Sequence, residues 1–326
     1  MRKLLLAAVV LLAACDGVPP GAAPSTPTDA CGDAIPTTAH AEPGKVGLPA
    51  GWQPRAVHAG DLVIDEPGTV VRDVQVTGDV SVEAPGAVLC RVRVAGWVWN
   101  QWPNTTVGQL DQYSMRIAQS EIGSFRHPVG NKGIVGPGRY EVRRSVLMGT
   151  DGPRISQPAT GGSNAVTIDQ NLIVTSQCPG DDHLDGIQGY GAGTGVTITR
   201  NWIEVLGTCT PEQPLPGQIS GSDATGGIFL ADNEGMRAYD ALIANNVIIA
   251  PNGAIRVQDG NDPDRGTWVV AQNLLVPVAG GAATKNSATN CSAPGMHWSN
   301  NHLGALAPDK PVGPGSLTDT GRVVPC

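Results

Sequence analysis

The sequence predicts an all-β, single-domain solenoid: a parallel β-helix with three short strands per coil and a ladder of asparagines inside it. Three observations carry this prediction. A strand phrase recurs through the second half of the chain, a second strand signal falls between its copies, and turn formers are abundant. The phrase reads apolar, any, apolar, two spacers, Asn, any, Ile or Leu. It occurs at Val166 to Ile173 around Asn171, Val196 to Ile203 around Asn201, Ala241 to Ile248 around Asn246, Trp268 to Leu275 around Asn273 and Met296 to Leu303 around Asn301. Two further copies carry Ser120 and Ser145 in the Asn place. Successive anchors lie 25, 26, 30, 45, 27 and 28 residues apart. Self-similarity on that scale marks stacked supersecondary units.

Within each phrase, alternating apolar residues before the anchor turn one face of a strand into a core, and the Ile or Leu after it does the same for a second strand. The anchor therefore falls at a bend. Asn tolerates the left-handed backbone region and bonds nearby backbone, so it suits such a corner, and stacked corners let the amides bond one another along the axis. A third strand is marked by small and β-branched residues at Gly133-Ile134-Val135, Arg154-Ile155-Ser156, Gly186-Ile187-Gln188, Gly227-Ile228-Phe229 and Ala254-Ile255-Arg256-Val257. The alternating runs Val70 to Val76 and Val88 to Val94 read as shorter first coils. The uneven spacing disfavours a propeller or a strict hexapeptide helix.

On these corners and three-strand coils, the chain resembles the right-handed parallel β-helix proteins of the pectate-lyase-like superfamily, over roughly residues 60 to 303. The resemblance implies right-handed coiling and a groove on the outer sheet face that grips polysaccharide. His183-Leu184-Asp185-Gly186 is partly similar to the Asn-Thr-Asp-Gly motif of polygalacturonases. The Asp-Asp, Gly-His-Gly and Arg-Ile-Lys motifs do not follow in order, and Gly226-Gly227 stands where the next carboxylates belong. The lysine usual in the lyases has no counterpart on the predicted face, Lys132 being the nearest.

Ahead of the solenoid, Arg2 and Lys3 precede the apolar run Leu4 to Leu12, which is too short for a permanent span and reads as a signal peptide over residues 1–14. Leu12-Ala13-Ala14-Cys15 is similar to a bacterial lipobox, so Cys15 is the expected lipidation site and the cell envelope outside the cytoplasm the expected address. Residues 15–54, rich in Pro, Ala, Thr and Gly, read as a flexible tether. The β-helix is expected over 55–303 and a C-terminal tail over 304–326. Removing Cys15 leaves six cysteines, an even set in a chain sent to an oxidising compartment. The expected pairs are Cys178 with Cys209, Cys291 with Cys326, and Cys31 with Cys90.

The formal charge of −8, which loses two positive charges with Arg2 and Lys3 to become −10, argues against nucleic-acid binding. No Walker or dinucleotide motif is present, and a monomer is expected. The densest polar constellation is Asp181-Asp182-His183-Leu184-Asp185-Gly186-Ile187-Gln188. With Ile155, Ile187 and Ile255 facing inward, Arg154, Gln188 and Arg256 form one ladder on the outer face, at a strand spacing of about 4.8 Å. Asp182, His183, Asp185, Arg154 and Arg256 are the candidate catalytic residues. Gln188, Phe229, Asp232 and Asp259 are the candidate substrate contacts along the same groove.

Two chemistries fit this set. In a lyase, an arginine neutralises a uronate carboxylate while His183 takes the neighbouring proton. In a glycoside hydrolase, two carboxylates flank the bond, supplied by Asp182 with Asp185 or Asp185 with Asp232. Asp181, Asp182 and Asp185 also offer the oxygens that calcium takes. The rival class is a non-catalytic carbohydrate-binding or structural surface lipoprotein, in which the same Asp residues only cap turns. Trp97, Trp99 and Trp102 read as early-coil packing in preference to sugar stacking.

Overall fold

The computed structural model describes residues 27–37, 40–100, 114–124, 133–136, 138–156, 165–176, 184–190, 195–205, 224–231, 240–251, 254–258, 267–278, 295–310 and 312–325. Through most of the chain strands follow one another in threes, and within each stack a strand pairs in parallel with its counterparts in neighbouring coils, apart from the antiparallel last strand. Three faces result. Sheet A has eleven strands, from Ala56–His58 through Val146–Gly149, Leu172–Thr175, Trp202–Val205 and Val247–Ala250 to His302–Leu306, closed by Leu317–Val323. Sheet C has nine, from Val70–Arg72 to Met296–Ser299. The face between them, sheet B, is built of two stacks of four. Leu62–Ile64, Val80–Val82, Val98–Asn100 and Val135–Gly136 form the first, and Arg154–Ser156, Leu184–Tyr190, Ala224–Ala231 and Ile255–Gln258 the second. The architecture is a parallel β-helix solenoid with no α-helix among the described residues.

The period-2 pattern explains the core. Ile168 and Ile173, Ile198 and Ile203, and Ile243 and Ile248 flank their anchors and are fully buried on the axis. Between them the ladder runs as expected. Asn171 Oδ1 accepts from the Ser145 N–H at 3.0 Å; the Asn171 backbone N–H donates to Asn201 Oδ1 at 3.0 Å and its side-chain amide donates to the same oxygen at 3.1 Å. Asn201 repeats this toward Asn246, Asn246 toward Asn273 and Asn273 toward Asn301. Each amide also donates to a carbonyl of the preceding coil, as Asn201 does to Ile168 O at 2.8 Å. Ser145 and Ser120 carry the chain of bonds on to the Val92 N–H.

One detail of the corner differs from expectation. The left-handed residue is the one before the anchor, not the anchor itself: Asp73, Arg91, Gln119, Arg144, Gln170, Arg200, Asn245, Gln272 and Asn300 all have φ between 51° and 58°. The reason is directional. An anchor must aim its amide along the interior axis, whereas the preceding residue takes the turn and sends its side chain outward, so all nine are polar.

Those outward side chains bind the segment expected to be a tether. Gln119 Nε2 donates to Asp29 at 2.9 Å, Arg144 pairs with Asp29 at 3.2 Å, and Gln170 and Arg200 both donate to Pro36 O. Ala41 N–H donates to Arg200 O at 2.6 Å and Gly47 N–H to Arg144 O at 2.8 Å. The described part of the segment before residue 55 is thus a strap lying along the corner between sheets C and A. Local composition says nothing of partners this distant in sequence, which is why a tether was expected. The Cys31–Cys90 disulfide, as expected, fastens the strap to the early coils. Cys15, Cys178, Cys209, Cys291 and Cys326 lie outside the described residues. At the other end, Leu317–Val323 folds back antiparallel on His302–Leu306. No helix among the described residues is long and apolar enough to cross a membrane.

Candidate functional site

The second stack of sheet B places the predicted ladder in register. Arg154 pairs with Gln188, Gln188 with Phe229 and Phe229 with Arg256. Ile187, Ile228 and Ile255 one step before them are fully buried in the core, so the ladder residues stand on the outer face. The contacts along it are specific. An Arg154 guanidinium N–H donates to Gln188 Oε1 and pairs with Asp151 at 3.4 Å. The Arg256 guanidinium lies 4.8 Å from the centroid of the Phe229 ring, a cation–π stack.

At the entry to this sheet the chain turns through a column of small residues. A Cβ on Gly152 would stand 1.7 Å from Gly186 O, one on Gly186 2.4 Å from Ile203 Cγ2, and one on Gly227 2.2 Å from Ile248 Cγ2. No side chain fits there, and the coils close on one another at backbone distance. Gly152 N–H donates to Asp185 O at 3.0 Å, which sets the Asp151-Gly152 step directly against Asp185-Gly186 of the next coil. Two carboxyl side chains are thereby brought to the same corner.

Both are buried, Asp185 at 0% exposure and Asp151 at 1%. Burial drives the Asp185 carboxyl well above the usual carboxylate range, and the Asp151 charge pushes it further. The Gly226 amide, Arg256 and Arg154 pull the other way, in that order. Gly226 stands opposite Asp185 in the register, yet no hydrogen bond of ordinary geometry reaches either Asp185 oxygen among the described residues. Burial thus favours the protonated form of Asp185, beside a second carboxyl and two guanidinium groups. Such a site can hold a proton and give it up, and its cations can neutralise an approaching anion.

Five of the sequence-predicted residues are brought together here: Arg154, Asp185, Gln188, Phe229 and Arg256. Asp181, Asp182, His183, Asp232 and Asp259 lie outside the described residues. Among the described residues no group of three or more His, Cys, Asp or Glu is set to hold a metal. Asp151 is the residue that sequence reasoning missed. Its signal was present, since Thr150-Asp151-Gly152 repeats the Asp-Gly step of Leu184-Asp185-Gly186 one coil earlier. Trp97 and Trp99 are half-buried in the early coils.

Fold and site together define a parallel β-helix with an acidic pair at the corner of a sheet and a ladder of arginine, glutamine and phenylalanine beside it. No protein-family model, curated protein or solved structure matches the chain.

Proposed function

We propose that this chain is an exported lipoprotein of the pectate-lyase-like type that cleaves an extracellular or cell-wall polysaccharide by glycoside hydrolysis. The observation that supports it is the buried Asp151–Asp185 pair, in which burial raises the Asp185 pKa while two arginines stand beside it. Asp185 is the proton donor to the leaving glycosidic oxygen, and Asp151 is the carboxylate partner. Strands in register are about 4.8 Å apart, nearer the short carboxyl separation of a retaining enzyme, about 5–5.5 Å, than the longer one of an inverting enzyme. Arg154 and Arg256 hold the chain along the ladder. Lipid attachment at Cys15 keeps the enzyme on the envelope, and the Cys31–Cys90 disulfide accords with an oxidising address.

The mature chain is to be incubated with a panel of uronate-containing and neutral polysaccharides, and new reducing ends and unsaturated ends measured separately. Hydrolysis gives reducing ends without unsaturation, and Asp185→Asn lowers the rate at least about a hundredfold. Unsaturated ends would replace this mechanism with elimination. Anchoring has its own measurement: Cys15→Ser moves the protein from the detergent phase to the aqueous phase, and unchanged partitioning refutes it.

A non-catalytic glycan-binding reading is favoured by one observation, the closure of Asp151, Asp185 and Gln188 from solvent at 1% exposure or less. Binding to the same glycans without any new ends in wild type would establish it.

A further inference from the structure

The strap does not lie flat on the corner between sheets C and A. Pro36 O accepts from Gln170 and Arg200, the Ala41 N–H donates to Arg200 O, and the Gly47 N–H returns to Arg144 O one coil pair earlier. Between these fastenings strap and solenoid frame a cavity of about 240 Å³, on the side of the coils away from sheet B. Pro36, Ala41 and Val46 give it apolar walls, and the solenoid contributes Arg144 and Gln170. Both of the latter take the left-handed turn, at φ 51° and 55°, which sends their side chains out of the coil and under the strap.

Two polar groups in the lining keep hydrogen-bonding capacity to spare. Arg144 donates through Nη1 to Asp29 at 3.2 Å, and no other hydrogen bond to this guanidinium is made among the described residues. His40 lines the same cavity with its ring 6.2 Å from that of Trp202, and it makes no hydrogen bond among the described residues. Burial holds its pKa below the ordinary 6.5, against the charge of Glu42, so near neutral pH the imidazole has one N–H to give and one nitrogen to accept. Glu42 and Lys45, also in the lining, pair with each other at 2.5 Å and are exposed. Apolar walls with a few convergent polar groups are the ordinary make-up of a small-molecule site.

We propose that this cavity binds one small hydroxylated carboxylate, a molecule the size of a single sugar acid, and that the bound molecule fastens the strap to the coils. The carboxylate lies on the Arg144 guanidinium, whose planar fork takes two oxygens side by side. Ring hydroxyls exchange hydrogen bonds with His40, and the C–H faces rest on Pro36, Ala41 and Val46. Size sets one limit. The cavity has the volume of about eight waters at about 30 Å³ each, enough for one sugar ring and too little for an oligosaccharide. Charge sets another: Asp29 beside Arg144 and Glu42 beside Lys45 leave the surroundings near neutral, which suits a single negative charge better than a doubly charged phosphate. Strap and solenoid each supply part of the site, so it exists only while the strap is seated, and binding stabilises the seated form by mass action. It is independent of the Arg154 to Arg256 ladder and of any cleavage there, since sheet B lies on the opposite side of the coils.

The Ala41 and Gly47 amides, which donate to Arg200 O and Arg144 O, report on seating directly. Their hydrogen exchange in the full chain at neutral pH is to be followed with added D-glucuronate or D-galacturonate, against D-glucose, acetate and inorganic phosphate at equal concentration and ionic strength. A uronate slows both amides, by about elevenfold at about ten times its calorimetric Kd, and the three comparison solutes leave them unchanged. Arg144→Gln, still able to donate to Asp29, and His40→Phe, which keeps a ring against Trp202, each abolish the slowing. Protection of both amides without any solute shows that the strap is seated in each variant, and Arg144→Lys, which keeps the charge beside Asp29 but not the fork, takes the place of Arg144→Gln if that protection is lost. No slowing by either uronate into the tens of millimolar, equal slowing by glucose, acetate or phosphate, or a full response in the seated variants would each overturn the proposal.

Discussion

At the residue scale, the corners of this solenoid are set by where a side chain can go. Arg91, Arg144 and Arg200 occupy the left-handed region at φ 51–57°, which costs an L-residue about 1–2 kcal/mol that glycine would not incur. The compensation is external: an outward arginine or glutamine at this place reaches the strap, and a glycine would not. The opposite solution holds at Gly152, Gly186 and Gly227, where the neighbouring coil occupies the Cβ position and only glycine permits the close approach. The same logic decides what the sequence revealed of the site. Arg154, Gln188 and Arg256 were readable because inward isoleucines beside them fix the alternation, and alternation fixes the face. Asp151 was not, because its importance comes from the carboxyl one coil later and not from any local pattern. Asp185 was readable as a polar residue in a polar run. Its raised pKa depends on burial and on a neighbour 34 positions away in the stacked strand, which composition cannot express.

At the scale of elements, the ladder makes each coil depend on the next. Asn201 Oδ1 accepts from both the backbone and the side chain of Asn171, while its own amide donates to Asn246 Oδ1 and to Ile168 O. All of these groups are buried, so truncation leaves donors and acceptors with no water to turn to. Asn201→Ala is expected to lower the unfolding free energy by about 2–4 kcal/mol, read from urea denaturation. Asn201→Ser should cost less, because Ser145 Oγ already accepts the Ser120 N–H at 3.2 Å and donates to Arg143 O at 2.9 Å in the earlier coils. A loss below about 1 kcal/mol in the alanine variant would mean that the stacked strands, not the amides, carry the cohesion. This element was the most legible part of the chain. The period of the anchors and the flanking apolar alternation specify both the stack and its interior, and only the assignment of the left-handed residue was one place out.

At the scale of the molecule, a solenoid gains its cohesion between neighbouring coils, and contacts that tie distant coils together are few. The strap is such a tie. It touches the coils of Asp73, Gln119, Arg144, Gln170 and Arg200, but mostly through hydrogen bonds and ion pairs at partly exposed sites, each of which contributes little by itself. What holds these weak contacts at high effective concentration is the covalent link between Cys31 and Cys90, across a separation of 59 residues. Closing a loop of that length removes entropy from the unfolded chain equivalent to about 4 kcal/mol. Replacing Cys31 by Ser together with Cys90 by Ala, the latter because position 90 is fully buried, is therefore expected to lower the unfolding free energy by about that amount, with a steeper urea dependence because the uncross-linked unfolded chain is more expanded. The Ile35 amide, which donates to Pro27 O, should lose its exchange protection only in the same global transition. If instead that amide exchanges freely while the Asn ladder unfolds as in wild type, strap and solenoid are separate cooperative units, and the strap's polar contacts alone do not bind it to the coils.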